Sequence, residues 1–344
     1  MKFQLKPANQ QVMVITGATS GIGLTLARMA AKRGVKLVLV ARNAEALEQL
    51  AQQLGQDGAQ VEWVAADVAD KNALQAAVTT AHRRFGGFDT WVNNAGVSIF
   101  GRFEDVPIED QHRLFDTNFW GVVNGSLLAA EQLRARGGAI INIGSQLSDH
   151  AVPLQGMYSA SKHAVKGFTD ALRLELEEVD APVAVTLIKP ASIDTMFIKH
   201  AKNYLDVEPK LPAPIYAPEV VADAVLHAAV HPTRDLYVGA TSRLASIGAK
   251  VAPRLMDTVL STAMSRQQRS PEPPHADDRP ALYEPGEPLS ERDAARGRPV
   301  LEHSLYTKAT MRPKTTFAVA VAAAVAAVTV WNLRHNGTRG FIKS

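Results

Sequence analysis

The chain has 344 residues, 46% of them apolar and 21% charged, which suits one large domain plus an appendage. Its 0 cysteines exclude a disulfide framework and any thiolate metal site, and fit a reducing compartment. A net charge of +3 is too small to argue for nucleic acid. That charge is unevenly spread. Of 37 Lys/Arg and 34 Asp/Glu, 15 and 9 lie from Thr241 onward, a net of +6 there, leaving 22 and 25, a net of −3, before it.

The N-terminus MKFQLKPANQ has no apolar h-region and so reads as no cleavable signal peptide. From there to Gly239, short β-branched runs alternate with helix-like stretches. The runs are Val12–Thr16, Leu37–Ala41, Val61–Ala66, Thr90–Asn93, Ala139–Gly144, Val183–Lys189 and Leu236–Gly239. Segments such as GLTLARMAAKRG and NAEALEQLAQQLG are apolar at helical spacing, closed by Gly34 and Gly55. Strand–helix alternation of this kind predicts an α/β fold: a doubly wound, Rossmann-type parallel sheet of about seven strands with helices on both faces. Ligands in such folds bind beyond the strand C-termini, where the strand order reverses.

The first motif, VMVITGATSGIGLTLARMAAKRG, sets Gly17, Gly21 and Gly23 between a strand and a helix. Glycines allow a tight turn and close approach of backbone to a pyrophosphate, and the helix N-terminus offers free N–H groups and partial positive charge. Strand before and helix after supply the context that a lone glycine cluster lacks. The second strand ends LVLVARN, with Arg42 where an NAD-binding fold would carry an acid. A guanidinium there can pair with a 2′-phosphate, so NADP(H) is the expected cofactor.

The second motif, GMYSASKHAVKGF, puts Tyr158 four residues before Lys162 on one face of an expected long helix. A tyrosine of ordinary pKa is too weak an acid for proton exchange near neutrality, and a neighbouring ammonium favours the phenolate. The pair therefore reads as an acid/base unit. Around it stand Ser145, ending the strand IINIG; Asn94, Ala95 and Gly96 in WVNNAG; Asn118 in FDTNFWG; and Asp67 in VAADVAD.

Taken in order and spacing, TGATSGIG, DV, NNAG, the Asn of FDTN, the Ser of IGS and YSASK resemble the short-chain dehydrogenase/reductase family over roughly residues 10–240. The resemblance implies hydride transfer between a nicotinamide cofactor and a carbonyl or alcohol. It implies that Ser145 bonds the substrate oxygen, that Tyr158 is acid in reduction and base in oxidation, and that Lys162 holds the nicotinamide ribose and lowers the tyrosine pKa. Asn118 is implied to hold a water in a proton relay. Gly17, Thr19, Ser20, Gly21, Ile22 and Gly23 would cradle the cofactor, Asn94, Ala95 and Gly96 its wall, and Asp67 with Val68 its adenine. After the sixth strand the family has Pro-Gly and a Thr; here IKPASIDT has Pro190, Ala191, Ile193 and Thr195, with Pro190, Ile193 and Thr195 as expected cofactor contacts. Because alanine resists positive φ, that loop is expected to take a slightly different path. No metal is expected, and a homo-oligomer is.

The segment after that loop carries Met196, Phe197, Ile198 and Tyr204, and with Phe100, Leu147 and Val152 it predicts an apolar pocket for a hydrophobic carbonyl or alcohol. Beyond this catalytic unit, 1–240, the pattern stops. Residues 241–269 read as a helical extension with Leu244, Val251, Leu255 and Val259 on one side and Arg243, Lys250 and Arg254 on another, kinked or restarted at Pro253. Packing against the main domain and lying in a membrane interface are both open to it. Residues 270–314 read as a Pro-rich linker or arm. Residues 315–333 hold no charge, with Arg312, Lys314 and Arg334 as flanks and Trp331 near one end, and are expected to anchor a cytoplasmic catalytic domain to a membrane. Everything hydride transfer requires is expected before Ala240. The alternative is a membrane-associated nucleotide-binding scaffold or sensor without turnover.

Overall fold

The computed structural model describes residues 3–275, 278–293, 299–312 and 316. Seven strands form one parallel sheet: β1 (Val12–Thr16), β2 (Lys36–Ala41), β3 (Val61–Ala65), β4 (Thr90–Asn93), β5 (Gly138–Ile143), β6 (Val183–Pro190) and β7 (Asp235–Val238). Their order is β7-β6-β5-β4-β1-β2-β3. The chain winds outward from β1 to β3, then returns to lay β4 against the other side of β1. The crevice opens at that reversal, above the ends of β1 and β4.

Alternation along each strand feeds two cores. From β1, Met13 and Ile15 face α1 (Gly21–Lys32), α2 (Ala44–Gln56) and α7 (Pro218–Ala228), meeting Leu24, Leu47 and Val225. Val12 and Val14 face α3 (Lys71–Phe85), α5 (Gly121–Arg136) and α6 (Gly156–Glu178), meeting Leu74, Leu128 and Leu172. A sheet buried on both faces needs the near-continuous apolar strands that the sequence shows. Helix α2 runs through Gly55, which was expected to close it; Gly58, at φ +86°, takes the left-handed position that ends the segment. Helix α4 (Ile108–Phe115) leads through a π-helical turn, Asp116–Trp120, directly into α5.

After β7 the chain forms α8 (Ala240–Val251) and, restarted with Pro253 in its first turn, α9 (Pro253–Val259). Helical turns to Gln267 follow. The residues beyond run back across the catalytic unit: Val300–Leu301 pairs in parallel with Ile215–Tyr216, which itself pairs with Ser192–Ile193. Helix α10 (Leu305–Met311) then packs on β7. Among the described residues no helix is long and apolar enough to cross a membrane. The run 315–333, apart from Thr316, lies outside the described residues.

Candidate active site

The glycine loop is built by contacts that side chains would block. Gly17 sits at φ +67°, and a Cβ on it would lie 2.8 Å from Ala95 Cα. A Cβ on Gly23 would lie 2.1 Å from the Gly17 carbonyl oxygen. Asn94 fixes the loop from the neighbouring strand end: its Nδ2 donates to the Thr16 and Gly17 carbonyls at 3.0 and 3.1 Å. The sequence therefore places the loop twice, once through glycine and once through the Asn of NNAG.

The cleft above it is lined by Gly17, Thr19, Ser20, Gly21 and Ile22, then by Arg42, Asp67 and Val68, by Asn94, Ala95 and Gly96, and by Ser145, Tyr158, Lys162, Pro190, Ile193 and Thr195. The structure thus brings together seventeen of the candidate positions, and one further pair sits behind the wall. Gly23 is one of that pair, its role being the close helix–loop packing just described. Asn118 is the other. It is fully buried in the π-helical turn, where its Oδ1 accepts from Val97 N at 2.8 Å and its Nδ2 donates to Val97 O at 2.9 Å and to Ser161 Oγ at 3.2 Å. It ties the β4 loop to α6.

Tyr158 and Lys162 share the first turns of α6, with the ammonium nitrogen 5.7 Å from the phenol ring centroid. Lys162 Nζ donates to the Ile143 carbonyl at the end of β5 at 2.9 Å. Ser145, two residues on, caps a short turn by accepting from Leu147 N at 3.1 Å. Burial pushes the Tyr158 phenol up to about 12, opposed by a hydrogen bond with Ser145, and burial brings Lys162 down to about 8. The lowering of the tyrosine pKa expected from its lysine does not set the direction here; desolvation does. Tyr158 is held as a phenol, the form that gives a proton.

Beyond β3, Asp67 meets Arg113 in an ion pair and accepts from Ala69 N at 3.0 Å. Burial pushes its carboxyl up, but the Ala69 N–H and the Arg113 and Arg42 cations leave it below its ordinary value. Arg42 is turned toward the C-terminal arm. Its terminal nitrogens donate to the carbonyls of Ala281, Tyr283 and Glu284 at 2.6, 2.8 and 3.0 Å. The arm also reaches the glycine loop: Leu289 N donates to Thr19 O at 2.7 Å, and Gly21 N to Ser290 O at 2.9 Å. Salt bridges Lys199–Glu287 and Arg28–Glu291 hold its far side.

The cleft is thus completed from beyond Ala240. Met264, Gln268, Ala281, Pro285, Gly286 and Glu287 line it, beside the residues before Ala240 to which the sequence assigns hydride transfer. Sequence reading had little to find them by, because most of the arm's bonds are to backbone carbonyls that every residue owns. Of the expected pocket wall, Met196, Phe197, Leu147 and Val152 line the cleft, and Phe197 packs edge-on to Tyr158 at 5.5 Å. Phe100 and Ile198 instead build a separate small core with Ala201, and Tyr204 is drawn away by its hydroxyl bond to Asp110. Ala191 keeps a negative φ and donates to the Val238 carbonyl at 2.9 Å, so alanine causes no strain there.

The family model for short chain dehydrogenases matches residues 11–204. The chain belongs to the short-chain dehydrogenase/reductase family. An oxidoreductase of Bacillus subtilis, YxnA, is 44% identical over 333 residues, covering 96% of this chain and 92% of that one. A match that long takes in the segment after Ala240 as well. The bovine dehydrogenase/reductase SDR family member 7B is 40% identical over 192 residues, 54% of this chain and 58% of its own. Among solved structures, an alcohol dehydrogenase of the archaeon Thermococcus sibiricus, complexed with 5-hydroxy-NADP, aligns with a TM-score of 0.58 at 28% identity. It covers 66% of this chain and 95% of its own, so about a third of this short-chain dehydrogenase/reductase lies outside that likeness.

Proposed function

We propose that this enzyme interconverts a carbonyl and an alcohol with NADP(H), on a hydrophobic substrate, with Tyr158 as the acid/base. The observation that carries the reading is the partly buried Tyr158, one turn from Lys162 and lining, with Ser145, the same cleft as the glycine loop. The residues present fit a dinucleotide: a side chain on Gly17 would fill the space beside Ala95, and Gly21 opens α1 at the cleft wall. When bound, the nicotinamide would supply or take the hydride.

In this reading the glycine loop and Ser20 hold the pyrophosphate, Asp67 and Val68 flank the adenine, and Lys162 holds the nicotinamide ribose. Ser145 and Tyr158 donate hydrogen bonds to the substrate oxygen as negative charge grows on it, and the proton passes from the Tyr158 hydroxyl. Asn118, bonded to Val97 and Ser161, keeps the β4 loop and α6 in register, and in this reading it serves the proton relay from behind the wall. Arg42 beyond β2, with no acid in its place, supports NADP(H), as does the 5-hydroxy-NADP bound to the archaeal alcohol dehydrogenase. A 2′-phosphate would compete with the arm carbonyls for its N–H groups. Met196, Phe197, Leu147 and Val152 support an apolar substrate. The uncharged run 315–333 supports a membrane anchor as the enzyme's address, which suits such a substrate.

The test is turnover of NADPH by the full-length protein in detergent, against hydrophobic aldehydes and ketones, with Tyr158→Phe alongside. The reading expects cofactor consumption by the wild type and its loss in the variant. Equal rates in the two would overturn it, and a protein that binds NADPH but turns over none of these substrates would favour the scaffold.

A further inference from the structure

Helices α8 and α9 present an apolar outer face that nothing in the described chain covers. Leu244, Ile247, Val251, Leu255 and Val259 recur at spacings of three and four, and all are exposed, Val251 to 79% and Leu255 to 65%. The packing role that the sequence left open to these residues is taken by others. Leu260 is the buried member, set against Leu147 and Val152, while Met256 and Met264 pack on the same cluster beside Tyr158. The extension thus walls the substrate end of the cleft with one side and turns aliphatic side chains to solvent with the other.

The charges around that face are basic with one exception. Arg243, Lys250, Arg254 and Arg266 are exposed along the extension, and Asp257 is the single acid between residues 240 and 267. An aliphatic stripe rimmed by bases matches the boundary of an anionic lipid surface, where apolar side chains enter the acyl region and cations meet headgroup charge. The chain's exit lies at the same place. Gly239, just before α8, donates its N–H to Thr307 Oγ1 in α10 at 3.0 Å, and Tyr306 feels the charge of Arg243. The uncharged run 315–333 therefore follows a helix docked beside the start of the extension.

We propose that the outer face of α8 and α9 docks on an anionic phospholipid bilayer, setting the substrate end of the cleft against the membrane. The docking rests on the outer face of these helices, to which the tail's exit adds, and not on the proposed reaction. A substrate dissolved in the bilayer then reaches the cleft past Met256, Leu260 and Met264, without crossing bulk water.

The 0 native cysteines give a clean test. Val251→Cys and, as a control, Glu48→Cys on the exposed side of α2 are introduced singly into the full chain and labelled with a polarity-sensitive fluorophore. Vesicles of phosphatidylcholine with phosphatidylserine should shift the Val251 label to the blue and leave the Glu48 label unchanged. Phosphatidylcholine alone should bind less, at least tenfold by titration. A Val251 label that keeps its water spectrum on vesicle-bound protein would show that the tail alone binds, and would overturn the proposal. So would a blue shift that follows protein concentration without vesicles, which would mean that a second copy covers the face. NADPH turnover on a water-soluble aldehyde reads the reaction separately, so its failure would count against the proposed function and not against the docking.

Discussion

The sheet unit, residues 12–238, and the C-terminal arm, residues 278–293, build the two sides of one cleft by different means. In the sheet unit each site residue hangs on a strand end or helix start: Gly17 after β1, Asn94 after β4, Ser145 after β5, Tyr158 in the first turn of α6. Their positions follow from local order and a buried frame. The arm has almost no regular structure and is held by single bonds, Arg42 to its carbonyls, Thr19 and Gly21 to Leu289 and Ser290, Lys199 to Glu287. Leu289 even sits at φ +62°, a strained position for leucine that the bond to Thr19 helps to hold. A frame packed on both faces resists change; a strap held by scattered polar contacts can be released by losing one of them.

Breaking the frame should cost most. Gly23→Ala forces a Cβ to within 2.1 Å of the Gly17 carbonyl, which is backbone and cannot step aside. The loop must shift, so NADPH affinity by fluorescence titration should fall more than tenfold, with a loss of about 1–3 kcal/mol in unfolding free energy. Normal affinity would show that the loop is not the phosphate cradle. Next comes Arg42→Ala, which cuts both kinds of bond at once. It removes a candidate 2′-phosphate partner, a charge-assisted hydrogen bond of roughly 1.5 kcal/mol, so the preference for NADPH over NADH in kcat/KM should drop about tenfold. It also releases the arm, so limited proteolysis should cut residues 278–293 faster than in the wild type. A change in cleavage without a change in cofactor preference would make Arg42 a latch alone.

Much of this was readable before any coordinates. The seven strands follow their β-branched runs to within a residue at each end, because a sheet buried on both faces tolerates little else. The glycine loop and the Tyr158–Lys162 pair are legible because each needs a residue type at a fixed spacing. Three things were not. Helix α2 passes Gly55 because a glycine in a last turn costs little when a second one, Gly58, stands ready to end it. The direction of Tyr158's pKa depends on how dry its pocket is, which spacing does not encode. The arm's return over the cleft depends on long-range bonds between Arg42 and backbone atoms some 240 residues away.

Two smaller effects sharpen the comparison through pH. In the cleft, Lys162 loses its proton as pH rises past about 8, whereas Tyr158 stays a phenol up to about 12. Carbonyl reduction, which needs the phenol and the ammonium, should be level below about pH 8 and fall above it; alcohol oxidation, which needs the phenolate, should rise with pH. A reduction rate still climbing above pH 8 would contradict this. On the surface of the frame, Asp170 is held far below its ordinary value by Lys166, Arg173 and Arg234, although its partial burial works the other way. A depressed carboxyl stabilises the fold above its unfolded pKa of about 4 and loses that contribution as pH falls. Asp170→Asn should therefore cost about 1 kcal/mol at neutral pH and less in acid, read by urea unfolding at the two pH values.

The most direct measurement is a single turnover. NADPH is bound in excess enzyme, a hydrophobic ketone is mixed in, and cofactor oxidation is followed in the wild type and in Tyr158→Phe. Binding and chemistry are then separated on the same preparation. The account predicts NADPH affinity within about threefold in the two proteins and a chemical step slowed by a factor on the order of a thousand in the variant. A variant that oxidised NADPH as fast as the wild type would contradict Tyr158 as the proton donor.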